Sequence, residues 1–233
     1  MNVINCMKRL ILILSSTLLL GASIYALSAN ISGKKLIGQK NQSTSNYLEG
    51  DIIFQSSQSN QCKAVKLATY SECSHVGMIT FINGKPFVLE AVEPVRTTDL
   101  ATWIAHGTAG HYTVMRLKNR DVEIVSSEIP IAQALAKKML GIHYDIYFNW
   151  GDDQLYCSEL VWKIYQRGYG VELCPLRKMK EFDLTSLEVK AIMKQRYGNS
   201  APLDENVVAP SDLSNTSLLY EVEKNNLFVI RVN

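Results

Sequence analysis

The dipeptide Asn83-Gly84 constrains this chain more than any other feature, because it stands between two β-prone runs, Val76 to Ile82 and Lys85 to Val92. Both residues tolerate positive φ, as the tight turn of a two-residue hairpin requires. With that turn, Ile82 faces Lys85. Stepping outward, Gly77 faces Glu90 and His75 faces Val92. Residues two apart on a strand share a face of the sheet. His75 and Glu90 are therefore predicted to be diagonal neighbours on one face, ~7–8 Å apart at the backbone, a gap their side chains can close. Pro86 fits this register, since it falls at a non-hydrogen-bonded position where a missing N–H costs the strand pair nothing. A slip of one residue would send Glu90 to the opposite face.

A carboxylate beside an imidazole can fix its tautomer and stabilise its cation. The apolar run Phe87-Val88-Leu89-Glu90-Ala91-Val92 also makes Glu90 informative, because a carboxylate buried there needs a partner. The third group is Cys157, in Leu155-Tyr156-Cys157-Ser158-Glu159-Leu160. It falls in the first turn of a predicted helix that carries Leu160, Val161, Ile164 and Tyr165 at helical spacing. A helix N-terminus and a neighbouring imidazolium both favour a thiolate, and the N–H groups of that turn could hold an oxyanion. Local pattern alone leaves a second reading open, since a free cysteine is commonly a small buried apolar residue and a histidine opening a strand is commonly structural. Tyr144, Tyr147, Phe148, Trp150 and Tyr156 form an aromatic group that would either line a substrate groove or pack a loop. His106, His111 and His143 read as surface or loop residues, and Cys174 as structural.

The rest of the chain reads as one domain behind a leader. Residues 1–28 carry Lys8 and Arg9, an apolar run from Leu10 to Leu20 and a small-residue exit around Ala26 and Ser28, the pattern of a secretory signal. Extended to Leu27, the apolar stretch is nearly long enough to remain as an uncleaved membrane anchor. Residues 29–48 are polar and aperiodic and read as a linker; residues 49–233 read as the folded domain. An exported chain is expected, periplasmic or secreted, or held at the inner membrane by its N-terminal segment. The leader holds Lys8 and Arg9 and no acid, so the other 22 basic residues balance 22 acidic ones. That balance gives no basic footprint for nucleic acid.

Helices are predicted over Ser59–Thr69, from Ser126 or Ser127 to Leu140 with Gly141 as the stop, and over Leu184–Arg196. A strand is predicted at Thr113–Leu117. Asp152 and Asp153 are candidate caps for the Cys157 helix. The tail from Ala201 reads as irregular, with a last apolar strand at Leu227–Val232. An intervening helix would hold Cys62 and Cys73 some ~15 Å apart, too far for a disulfide. No metal-ligand spacing, nucleotide loop or haem attachment motif occurs, so no cofactor is expected.

The ordered set Gly50-Asp51-Ile52-Ile53-Phe54, Ser74-His75-Val76-Gly77-Met78, Leu89-Glu90-Ala91-Val92, Gly141-x-x-Tyr144-Asp145 and Tyr156-Cys157-Ser158-Glu159-Leu160 resembles the YiiX/YebB-like branch of the NlpC/P60 superfamily, the circularly permuted papain-like cysteine hydrolases. The resemblance runs from about Glu49 to Pro210. It implies a papain-like α+β fold, in which a small antiparallel, barrel-like sheet packs against a helix bearing the nucleophile. It implies Cys157 as nucleophile, His75 as base and Glu90 as the third member, with His75 preceding Cys157 as the permuted order requires. Tyr156, before the nucleophile, would border the pocket, and Tyr144 would contribute to substrate binding.

One departure bears on the substrate. Peptidoglycan-cleaving relatives typically have Asp-Cys-Ser, whose acid helps capture a free amine, and this chain has Tyr156-Cys157-Ser158. Permuted members also resemble lipid acyltransferases of the lecithin–retinol type. The expected activity is cleavage or transfer of an amide, ester or thioester through an acyl-enzyme on Cys157, on a cell-wall peptide or on a lipid or N-acyl compound of the cell envelope. The competing reading is a catalytically silent envelope binding module with the same fold.

Overall fold

The computed structural model describes residues 47–225 except 58 and 125. The signal, the linker up to residue 46 and the strand expected at Leu227–Val232 lie outside these residues. Strand β1 (Ile52–Gln55) leads to helix α1 (Asn60–Thr69), then to the hairpin β2 (His75–Ile82) and β3 (Lys85–Glu90). Strand β4 (Arg96–Asp99), helix α2 (Leu100–His106), β5 (Tyr112–Leu117) and α3 (Glu128–Met139) follow. The short strands β6 (His143–Tyr144) and β7 (Gln154–Leu155) precede α4 (Cys157–Gly168). The chain continues through β8 (Arg177–Lys178), α5 (Leu187–Tyr197), β9 (Asn206–Val207) and α6 (Pro210–Ser214), and ends in β10 (Leu219–Asn225).

The hairpin has the predicted register. Met78 pairs with Leu89, Ile79 with Val88 and Ile82 with Lys85. Asn83 and Gly84 both have positive φ, 51° and 75°. Strand β3 ends at Glu90, so Val92 is not paired with His75; on the other edge of β2, β1 places Gln55 opposite His75. The resulting sheet is antiparallel, in the order β10-β5-β1-β2-β3-β4. Both of its faces are buried. Ile52, Phe54, Val76, Met78 and Leu89 pack with Leu160 and Ile164 of α4. The alternate residues Ile53, Ile79 and Val88 pack with Leu100 and Trp103 of α2.

Helix ends follow the capping residues. Ser59 Oγ accepts from the Cys62 N–H, and Ser186 Oγ from that of Val189, so α5 begins three residues later than its apolar pattern suggests. Ser127 occupies the position before α3 without a side-chain cap bond. Asp152 and Asp153 do not cap α4. The β6–β7 pairing keeps the chain extended through Tyr156 (φ −101°, ψ 167°), and Lys163 and Arg167 draw Asp152 onto the flank of the helix. Helix α4 also packs on α3. A Cβ on Gly168 would lie 2.8 Å from both Cα and Cβ of Ala132, so glycine permits that approach.

The tail is more ordered than its composition suggests. Strand β10 pairs with β5, with a bulge between Glu221 and Glu223. Tyr47 and Tyr112 both donate to Glu223, at 2.7 and 2.6 Å, which ties the first described residue to the last strand.

Candidate active site

His75 is the first residue of β2, so its ring stands at the end of the sheet. Its Nε2 lies 2.7 Å from Glu90 Oε2, the contact that the hairpin register predicts. Glu90 is 3% exposed and His75 12%. Two further groups donate to the carboxylate: Thr98 Oγ1 to Oε1 at 2.6 Å, and Trp103 Nε1 to Oε2 at 2.8 Å. The Trp103 ring also stacks on the imidazole, with centroids 5.8 Å apart. Burial would raise the Glu90 carboxyl, but His75, Thr98 and Trp103 outweigh it and hold the group below the ordinary carboxylate range.

With Nε2 engaged by Glu90, Nδ1 is the ring nitrogen left for a second partner. That partner is Cys157, the first residue of α4, 6% exposed. Burial disfavours the charged imidazole. The hydrogen-bonding Cys157 sulfur and then Glu90 prevail over it, and His75 is pushed up to about 10. An imidazolium between a sulfur and a carboxylate can protonate a leaving group, and its neutral form can take a proton from an incoming nucleophile. The first N–H groups of a helix lack intrahelical partners, so the start of α4 offers donors where charge would develop on an acyl oxygen.

The first turn of α4 is clamped from outside. Ser158 Oγ donates to the Val208 carbonyl at 2.7 Å, and the Val208 N–H donates to the Tyr156 hydroxyl at 3.1 Å. Tyr156 meets Phe148 edge-on, with centroids 5.1 Å apart. Its ring walls the site while its hydroxyl accepts from the backbone. Behind the turn, Lys163 is paired with Glu159 at 2.7 Å and with Asp152 at 2.8 Å, and donates to the Gly151 carbonyl.

A groove opens at Cys157, between α1 and α5. Its space, including the open mouth, is about 840 Å³. Ala64 and Ala68 of α1, Val189, Ile192 and Met193 of α5, and Phe182 give it an apolar lining. Tyr144 and Tyr156 both border it. Tyr144 is placed by β6, which sets it beside Leu155, two residues before Cys157. Its hydroxyl accepts from Gln61 Nε2 at 2.6 Å, and Gln61 Oε1 accepts from Arg196 at 2.5 Å.

Sequence reasoning did not identify Thr98, Trp103, Gln61 or Arg196. The first two carry one signal in retrospect: a buried carboxylate needs several donors. The remaining histidines and cysteines take no part in the His75–Glu90 contact, although Cys62 lies near enough to His75 to interact with its charge. His143 pairs with Glu93 at 2.6 Å on the surface. Cys174 is free, and burial pushes its thiol up to about 12. Cys62 and Cys73 are free as well.

Comparison with known proteins places the chain. Residues 46–222 match the family model described as "Permuted papain-like amidase enzyme, YaeF/YiiX, C92 family". The uncharacterized protein YiiX of Escherichia coli (strain K12) is 47% identical over 175 residues, covering 75% of this chain and 85% of YiiX. A crystal structure described as that of metalloprotein yiiX from Escherichia coli O157:H7 (DUF1105) superposes with a TM-score of 0.72 at 45% identity, covering 76% of this chain and 97% of that one. Among the described residues here, no group of three or more His, Cys, Asp or Glu side chains could hold a metal ion. With the α+β fold, the antiparallel sheet and the order of His75 before Cys157, these matches show that the chain belongs to the permuted papain-like amidase family.

Proposed function

We propose that this protein is a thiol acyl hydrolase or acyltransferase, with Cys157 as nucleophile, His75 as base and acid, and Glu90 as the group that orients His75. The observation that carries this reading is the placement of one imidazole between the Cys157 sulfur and the Glu90 carboxylate. The Cys157 sulfur attacks the acyl carbon, and the oxygen takes up the charge. His75 then gives a proton from Nδ1 to the leaving amine or alcohol, and a thioester remains on Cys157. Water or an acceptor hydroxyl attacks that thioester, His75 takes its proton, and the sulfur is released.

The groove favours a lipid or N-acyl compound over a cell-wall peptide. Its lining is apolar, and Arg196 is the charged side chain among its lining residues. Among the described residues that line it there is no carboxylate to capture a free amine, in keeping with Tyr156 before the nucleophile. An acyl chain would lie between α1 and α5 with its carbonyl at Cys157. The leader read in residues 1–28 would deliver the enzyme to the cell envelope, where such substrates are found, and could hold it against the membrane.

The test is intact-protein mass after brief treatment with limiting iodoacetamide, for the wild type, Cys157→Ser and His75→Ala. One adduct is expected at Cys157 at about pH 6, well below the range in which an ordinary thiol reacts. It should be absent in Cys157→Ser and slowed about tenfold or more in His75→Ala. Uptake at Cys157 that is equally fast with and without His75 would remove the basis for an activated pair and leave a binding module as the better reading.

A further inference from the structure

Arg196 has donors and no acceptor, so its contact at 2.5 Å settles which end of the Gln61 amide faces it: the oxygen. The nitrogen of the same amide therefore faces Tyr144 and donates to its hydroxyl oxygen at 2.6 Å. A phenolic oxygen that accepts this bond must aim its own proton elsewhere. Tyr144 and Cys157 line the same groove, and β6 pairs Tyr144 with Leu155, two residues before Cys157 in the chain. Burial and then the nearby Cys157 sulfur push the phenol well above its usual range, so the hydroxyl keeps its proton.

We propose that Gln61 and Arg196 are positioning residues that turn the Tyr144 hydroxyl proton towards the acyl oxygen of a substrate held at Cys157. This rests on the acyl-transfer reading above and adds a side-chain donor to the oxyanion site at the start of α4. The two positioning residues belong to the two walls of the groove, Gln61 to α1 and Arg196 to α5. The wall contacts that admit the acyl chain are thereby joined to the group that stabilises the transition state.

Gln61→Glu separates this role from a structural one. The substitution keeps the size of the side chain and its pairing with Arg196, but it replaces a donor by an acceptor. Tyr144 would then give its proton to Glu and turn it away from the substrate. The readout is the pre-steady-state acylation burst of the full chain with p-nitrophenyl octanoate, measured beside iodoacetamide alkylation, a displacement that develops no oxyanion. Gln61→Glu and Tyr144→Phe should each slow the burst about a hundredfold. The double variant should be no slower than either single one. Half-saturation by the ester should stay within about twofold, and alkylation should be unchanged. A Gln61→Glu burst within about threefold of the wild type would overturn the positioning role, as would parallel losses of burst and alkylation. A wild-type chain that is alkylated at Cys157 but shows no ester burst would remove the acyl-transfer reading, and this role with it.

Discussion

At the scale of the residue, Glu90 is the member of the site whose state depends most on its neighbours. A carboxylate at 3% exposure survives as an anion because three donors meet it, His75, Thr98 and Trp103, with the Arg96 guanidinium 3.8 Å away. Removing one leaves a buried charge partly unsatisfied. Trp103→Phe keeps the ring against the imidazole and deletes only the N–H, so its cost isolates that bond. We expect a loss of about 1–3 kcal/mol in urea unfolding at neutral pH, with slower alkylation of Cys157 because Glu90, which orients His75, is held less firmly. Thr98→Val should act in the same direction on the other oxygen. A change below about 0.5 kcal/mol in both variants would mean that water replaces the lost donors. The pH signs follow from the shifts. Charged His75 contributes stability that is whole below its ordinary 6.5 and lost as pH rises through about 10. Ionised Glu90 contributes above its ordinary 4.5, and that part is lost as pH falls through its lowered value.

At the scale of the element, close approach matters more than propensity. Helices α3 and α4 meet where Gly168 lies over Ala132, and a methyl at 168 would sit 2.8 Å from that backbone. Glycine is a poor helix former, so on propensity alone Gly168→Ala would stabilise α4. The contact predicts the opposite: a loss of about 1–3 kcal/mol from overpacking, read as a lowered melting temperature. Gly168→Ala combined with Ala132→Gly should recover part of it, and a stabilised single variant would show that the helices part freely. The same contrast explains what the sequence makes legible. The β2–β3 register could be read because a two-residue turn fixes it locally, and with it the meeting of His75 and Glu90. Helices α1, α3 and α5 were visible through apolar spacing, with serines at or near their starts. Strand β4 and helix α2 were not, since Arg96-Thr97-Thr98-Asp99 shows no apolar alternation and becomes a strand by pairing with β3. Strand β10 is mostly polar and exposed and takes its order from β5. Gln61 and Arg196, 135 residues apart, meet only in the tertiary fold.

At the scale of the whole molecule, the pH dependence of stability should carry the mark of one buried pair outside the cluster of Cys157, His75 and Glu90. Glu159 and Lys163 are 0% and 1% exposed and lie 2.7 Å apart under the first turn of α4. Lys163 is also claimed by Asp152, an exposed carboxylate that Arg167 and then Lys163 hold down at about 2. Part of the lysine charge is thus already matched, and burial wins at Glu159, which is pushed up to about 7 despite Lys163. The folded state then holds a proton between about 4.5 and 7 that the unfolded chain has released. Stability from this group must fall as pH rises through that window, by up to about 3 kcal/mol. His75 titrates in the same molecule with the same sign over a higher window, and Glu90 with the opposite sign, so the wild-type curve alone cannot isolate it. The difference between the wild type and Glu159→Gln can, because those two groups are common to both. The glutamine keeps acceptor capacity for the Gly151 and Tyr156 N–H groups and cannot titrate. Between pH 4.5 and 7.5 the melting temperature of the wild type should fall relative to the variant by about 5–10 °C, with most of the change on the alkaline side of pH 5. Parallel curves would show that Glu159 is ionised throughout and that Lys163, rather than burial, governs the pair.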